Sequence, residues 1–383
     1  MLKNKSKKHC VGIDASRCRS GGAYTHIKGI LSNFDASKYG ITEIHIWSHR
    51  KLLDMLPDEP WLIKHSPKLL NGSLIGQVYW QACKLTKELN NKGCDVLLTL
   101  SAQSLCRFSP QVVLSQDMLS YEPGIMQNYP WGVGRVRLLV ILWLQNASFR
   151  RAEGAVFLTN HAARVIQKSC GQLANFKIIP HGVGENFRCV HRDKLWPTGD
   201  NPIHCLYVSN AALYKNQWHV VRATELLRNE GFNITLTLVG GGSGKAQKKL
   251  NEQILKSDPT GKFVKQLEFV PQYSLPNHLA QADVFVFASG CEAFGITLLE
   301  AMASGLPIAC SNKSSLPELL DGAGTLFDPE NPSEIALAIR QLIEDQQLRE
   351  SVAAKARQNA EKYSWQRCSN ETFSFVINDS NNH

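Results

Sequence analysis

The chain has 383 residues, of which 43% are hydrophobic and 20% charged, with a formal net charge of +9. That length exceeds one ordinary hydrophobic core and predicts two domains, and the composition excludes disordered and fibrous classes. Residues 1–190 hold 24 Lys and Arg against 12 Asp and Glu, while residues 191–383 hold 18 against 21, so the first half is the basic one.

Short apolar runs bounded by Gly, Asn or Pro alternate with helical patterns along the chain. In the first half the predicted strands are residues 9–14, 43–49, 95–100, 111–117, 155–160 and 177–182. In the second half they are 204–210, 234–241, 267–272, 283–289, 306–312 and 324–329. Near-continuous apolar strands separated by helices predict parallel sheets covered on both faces, and two sets of six predict two doubly wound α/β domains. The boundary falls in the polar, Pro- and Gly-containing stretch around residues 182–202. The domains are therefore expected at 1–190 and 191–363, with a helix over 364–383. Ligands of open parallel sheets bind beyond the carboxyl ends of the strands, so the active site is expected in a cleft between the two domains.

No apolar run reaches the roughly 18–20 residues of a membrane span. The basic start, MLKNKSKKH, runs directly into HCVGID without a signal peptide's apolar core, so a cytoplasmic location is expected. The eleven cysteines are scattered and form no C-x-x-C pair, which argues against a disulfide framework and a zinc site. Cys291, next to Glu292, has no base marked nearby in sequence and reads as a buried thiol rather than a nucleophile. No nucleic-acid module is recognisable, so the basic half predicts an anionic membrane surface or an acidic substrate, with ordinary solvated lysines as the alternative. The stretch 134–151, GRVRLLVILWLQNASFRR, has two readings: a membrane-surface helix, or a buried core helix. Its apolar residues from Val136 to Leu144 surround the helix and favour the second. Peripheral attachment is assigned instead to Lys3, Lys5, Lys7 and Lys8 with other basic residues of the first domain.

The most informative segment is CEAFGITLLEAMASG, residues 291–305. The strand-like ADVFVFAS is followed by Glu292, the tight Phe294-Gly295 step, and a helix opening at Ile296 that carries Glu300. A helix start presents free N–H groups and a favourable dipole to an anion, and glycine lets the backbone approach it. Two carboxylates beside a phosphate cradle suit a ligand with phosphates and many hydroxyls, a nucleotide sugar. A glycosidase acid and nucleophile is the competing use of two carboxylates, but a hydrolase needs no phosphate cradle. Helix capping or simple exposure remains the structural alternative for either acid.

This segment resembles the donor site of the GT4-like retaining glycosyltransferases of the GT-B fold. GIDASRCRSGGAYTHI, IIPHGV, LYVSNAALYKNQ and LTLVGGGSG follow in the family's order, so the resemblance covers roughly residues 10–365. It implies a GT-B fold of two Rossmann-like domains, the first binding the acceptor and the second the donor, with the C-terminal helix crossing back to the first domain.

Departure of a nucleoside diphosphate leaves negative charge to be neutralised. None of the 14 aspartates forms an Asp-x-Asp pair, so no metal clamp or other cofactor is expected and the protein must supply the cation. Lys215 is the candidate, and it matches the family's phosphate-binding lysine. The arginine that many relatives carry about five residues earlier is here Asn210, which leaves more work to Lys215 and the Gly295 helix start, or to a substitute such as Lys313. Glu292 is assigned to the sugar hydroxyls and the oxocarbenium-like state, and Glu300 to the ribose. Gly21 and Gly22 are assigned to diphosphate approach from the first domain, Gly240 and Gly241 to nucleotide access, and Phe294 and Ile296 to the donor. Residues around Val270 to Tyr273 are candidates for reading the base. Where relatives hold a histidine contacting the sugar, this chain has Gln116 and Asp117, and Asp117 inherits any base role. His181 is read as structural.

Together with these residues, the resemblance implies a retaining, metal-independent glycosyltransferase that uses a nucleotide sugar and a saccharide or lipid-linked acceptor in surface polysaccharide or glycolipid synthesis. A sugar-nucleotide-binding protein without catalysis, and a GT-B epimerase or phosphorylase, are the alternatives.

Overall fold

The computed structural model describes residues 8–19, 21–129, 131–190 and 195–380. The chain divides into two compact units, one of Met1–Gly182 with Tyr363–His383 and the other of Val183–Lys362.

The first unit contains β1 (His9–Asp14), β2 (Ile41–Trp47), β3 (Leu62–His65), β4 (Val96–Thr99), β5 (Gln111–Leu114), β6 (Gly154–Phe157) and β7 (Phe176–Ile178). They form one sheet in the order β3-β2-β1-β4-β5-β6-β7. Every pairing is parallel. The central strands β4, β5 and β6 are buried at every position, which is why they read as unbroken apolar runs. Trp47 at the end of β2 and Trp80 are buried, and each indole N–H donates to one oxygen of Glu88, at 2.6 and 2.9 Å. A single carboxylate thus satisfies two donors that the core would otherwise leave unpaired. Helix Trp365–Ser380 packs on helix Gly22–Ser32: Ser369 Oγ donates to Ile30 O at 2.7 Å, and Phe34 and Phe373 meet with centroids 4.2 Å apart.

The second unit contains β8 (Ile203–Val208), β9 (Ile234–Val239), β10 (Val264–Leu267), β11 (Val284–Phe287), β12 (Ile308–Ser311) and β13 (Thr325–Phe327). Their order is β10-β9-β8-β11-β12-β13, again all parallel. In both sheets the winding reverses once, between β1 and β4 in the first and between β8 and β11 in the second. At such a switch point the adjacent strand-end loops lead in opposite directions and leave room for a ligand.

Three sequence expectations need correction. The first sheet has a seventh strand, β3, whose residues LIKH bury only Leu62 and lie at the edge, so no apolar run announced it. The strand expected at 267–272 runs from Val264 to Leu267, paired with β9. Its start is pinned where the Asp258 carboxylate accepts from the N–H groups of Lys262, Phe263 and Val264. Phe269, taken as part of that strand, is exposed.

The third correction concerns helix Val133–Arg151, which is not a buried core helix. It buries Leu138, Gln145, Ser148 and Phe149, while Val136, Leu139, Val140 and Trp143 are exposed. Small and polar residues on the inward face let it pack closely through its second half, where the Phe149 and Phe157 rings meet at 5.5 Å. Among the described residues no helix is long and apolar enough to cross a membrane. Lys3, Lys5 and Lys7 lie outside the described residues, and Lys8 is exposed.

Candidate functional site

The loops that follow β8 and β11 meet at the switch point of the second sheet. After β8 the chain makes a 3-10 turn, Leu213–Lys215, and Asn216 takes a left-handed conformation at φ 52. That conformation turns its side chain to donate from Nδ2 to Ala288 O at 3.2 Å, while Gly290 N donates to Tyr214 O at 2.7 Å. The Tyr207 hydroxyl donates to Lys215 O at 2.5 Å. So held, Lys215 is only 8% exposed, and its ammonium donates to Glu292 Oε1. The same nitrogen lies 5.2 and 5.4 Å from the ring centroids of Tyr214 and Phe287, an electron-rich setting for a cation removed from water.

Glu292 is fixed from its other side by residues that the sequence reading did not single out. Its N–H donates to Ser314 Oγ at 3.0 Å, and its carbonyl accepts from the hydroxyls of Ser314 and Ser315 at 2.9 and 2.8 Å. The adjacent hydroxyls in SNKSSLPELL, just past a strand end, were the available signal. Phe294 is buried and Gly295 takes φ 102, a value that favours glycine. Helix Ile296–Ala303 starts there with no acidic residue in its first turn, so its free N–H groups and positive end face the loop unopposed by a carboxylate of their own turn. Ile296 is half-buried.

Glu300 lies inside that helix, buried, and accepts from Gln272 Nε2 at 3.0 Å. Burial pushes its carboxyl up to about 8, and the Gln272 bond opposes the shift only in part. Gln272 belongs to the stretch proposed to read the base, so the structure brings those two together.

Gly240 and Gly241 follow β9, and Gly240 sits in a tight setting. A Cβ on Gly240 would stand 2.3 Å from Ser209 O, and Ala211 N donates to Gly241 O at 3.1 Å. Gly240 thereby lets the loop after β9 lie against the loop after β8. Asn210, in that second loop, is exposed. Lys313, the suggested substitute cation, pairs with Asp328 at 3.2 Å.

Three of the expected site residues, Gly21, Gly22 and Asp117, belong to the first unit. Gly21 takes φ 61 and opens helix Gly22–Ser32, with open space where a Cβ would be. Asp117 follows β5 and accepts from Leu119 N at 2.9 Å. Burial raises its carboxyl, and its bond from Leu119 N and the nearby Arg137 partly offset that. Gln116 donates to Leu100 O at 3.1 Å. His181 shares a hydrogen bond with His26, Nδ1 to Nδ1, at 3.0 Å, and both rings are buried beside Trp365. Cys291 is buried.

Among the described residues, one group of three side chains offers metal-ligand atoms close together: Cys10, Glu43 and His45, with atoms within 4.8 Å of one another. It lies near the starts of β1 and β2, at the opposite ends of those strands from the loop that carries Gly21.

Residues 192–359 match the sequence profile of the family described as glycosyl transferases group 1. The chain is 32% identical over 169 residues to the O-antigen chain mannosyltransferase B of Escherichia coli, a stretch that covers 44% of each chain. The chain therefore spans less than half the length of that relative. Among solved structures it resembles the sucrose-phosphate synthase from Thermosynechococcus elongatus, with TM-score 0.74 and 14% identity over 95% of this chain and 97% of the other. It also resembles Anabaena HepE, solved in complex with UDP and glucose, with TM-score 0.69 and 20% identity over 94% of this chain and 97% of the other. These likenesses are of fold: two Rossmann-like, doubly wound units, the GT-B fold.

Proposed function

We propose that the protein is a glycosyltransferase that moves a sugar from a nucleotide-sugar donor to a saccharide or lipid-linked saccharide acceptor. In this reading it retains anomeric configuration, requires no metal ion, and works in surface polysaccharide or glycolipid synthesis at the cytoplasmic face of a membrane. The observation that carries the reading is the Lys215–Glu292 pair at the β8–β11 switch point, inside the stretch that matches the group 1 profile.

Without donor, the ammonium and the carboxylate neutralise each other. A diphosphate, with more charge than a carboxylate, competes for Lys215 and for the N–H groups at the start of helix Ile296–Ala303. Glu292 is thereby released toward the sugar hydroxyls. As the bond to the anomeric carbon breaks, Lys215 meets the charge developing on the leaving diphosphate and Glu292 the positive charge on the sugar. Same-face attack lets the leaving phosphate take the acceptor's proton; where a protein base is used, Asp117 is the assigned group. Glu300, with Gln272, faces the ribose and base.

The O-antigen mannosyltransferase among the relatives supports a growing saccharide as acceptor, and the UDP and glucose bound to HepE support a nucleoside diphosphate as leaving group. A panel of nucleoside diphosphate sugars tests the reading, with release of the nucleoside diphosphate as readout and thermal shift as the binding control. A ligand at a hundred times its Kd stabilises by about 2.7 kcal/mol. Asn210, which leaves the loop after β8 one cation short of the family pattern, favours the alternative of a binder without catalysis. That alternative predicts the shift without the release.

A further inference from the structure

We infer that helix Val133–Arg151, with Trp131 just before it, is a docking surface that lays its outward apolar face into the headgroup region of an anionic bilayer. The inference rests on the reading above for the acceptor's place at a membrane, and on the helix itself for the surface. Val136, Leu139, Val140 and Trp143 are spaced i, i+3, i+4 and i+7, on the side roughly opposite the buried Leu138, Gln145 and Phe149. Val136 is 52% exposed, Val140 50%, Trp143 68% and Trp131 76%. An ordinary surface helix hides such a stripe, and this one turns it outward.

Charge selects the occupant. Residues 123–152 contain four arginines and no Asp or Glu. Arg135 stacks over the Trp131 ring at 4.3 Å, and Arg137 flanks the stripe on its other side. Apolar residues bordered by arginines, with a tryptophan before the helix and another on the stripe, form the pattern of a helix lying in the interface of an anionic membrane. A second copy of the chain is a poorer partner, because a two-fold contact through this face would set its arginines against each other. The surface borders the strand ends of the first unit, since Arg137 is near enough to Arg17 and Asp117 to act on both electrostatically.

The test is flotation of the full chain with vesicles of phosphatidylcholine alone or of an equimolar mixture of phosphatidylcholine and phosphatidylglycerol. Val140→Glu with Trp143→Glu changes only exposed side chains and should lower binding to the mixed vesicles by about tenfold or more. Replacing Lys3, Lys5, Lys7 and Lys8 with Glu should leave a bound fraction that high salt does not release, the mark of apolar insertion rather than adsorption. Mixed-vesicle binding by the double variant equal to wild type overturns the inference. So does a wild type that ignores both vesicles and sediments as a dimer that the double variant dissociates. Thermal shift with nucleoside diphosphate sugars on the same preparations separates the two claims. A retained shift without vesicle binding sinks only the docking surface, and vesicle binding without any shift sinks only the donor reading.

Discussion

Lys215 and Glu292, 77 residues apart in sequence, share a hydrogen bond across the two loops at the switch point of the second sheet. Each holds the other's charge in a site that largely excludes water. Glu292→Gln should therefore cut transfer by about a hundredfold or more while leaving nucleotide affinity within a few fold. Lys215→Met should lower both rate and stability, because it strands a half-buried carboxylate; a loss of about 1–3 kcal/mol is expected. The double variant should regain most of that stability. Denaturant melts of the four proteins give the coupling, and additive losses would mean that the pair does not interact.

Glu300 provides a pH test. Its folded-state carboxyl is raised to about 8 from an ordinary 4.5, so the neutral form is the one the fold prefers. That contribution is complete below the ordinary value and is lost as pH rises through about 8. Thermal melts across this range should show wild type losing ground to Glu300→Gln as pH increases. Ribose hydroxyls donating to Glu300 favour its ionised form, so nucleoside diphosphate affinity should rise over the same window in wild type and stay flat in Glu300→Gln. A pH-independent difference would remove Glu300 from the ribose.

Acid acts on the first unit in the opposite sense. Burial lowers His26 to about 3 and His181 well below its usual range, with His26 adding to the effect on His181. Both rings are folded neutral, one donating and one accepting. Their contribution is complete above the ordinary value of 6.5 and is lost as pH falls toward the folded-state values. His26→Gln with His181→Gln should melt at a lower temperature near neutrality and show a shallower decline toward about pH 4. An unchanged acid slope would assign the decline to other groups, among them His65, which burial also lowers to about 4.

The glycines divide by their surroundings. Gly240→Ala adds a Cβ 2.3 Å from a backbone oxygen at φ 113 and should cost about 2 kcal/mol or more. Gly21→Ala meets open space but sits at φ 61 and ψ −138, so it carries backbone strain alone, about 1–2 kcal/mol, whereas Gly240→Ala adds the clash to a comparable strain. Equal melting temperatures for the two would refute the close approach of the loops after β8 and β9.

Much of the fold was legible because parallel strands buried on both faces are apolar without interruption, as VFVF in β11 and VVL in β5 are. Edge strands lack that signature, which is why β3 was missed and β10 misplaced. Helix Val133–Arg151 misled for another reason: a stripe of Val, Leu and Trp reads the same whether it faces the core or the surface, and only its partners distinguish the two. At the site, the Glu292 segment could be read from strand, turn and helix start in order. Ser314 and Ser315 could not, because their role depends on the loop after β12 lying beside the loop after β11, a neighbourhood that pairing of those strands creates.

The central claim is sugar transfer from a nucleotide donor through the Lys215–Glu292 site, and its most direct measurement is nucleoside diphosphate release. Wild type and Glu292→Gln should be incubated with a panel of nucleoside diphosphate sugars and a saccharide acceptor, in a chelator and then with added Mg²⁺ or Mn²⁺. Wild type should release nucleoside diphosphate from at least one donor at the same rate in both conditions, and Glu292→Gln should bind that donor without releasing it. Binding by wild type with no release from any donor, or release by Glu292→Gln at the wild-type rate, would contradict the account.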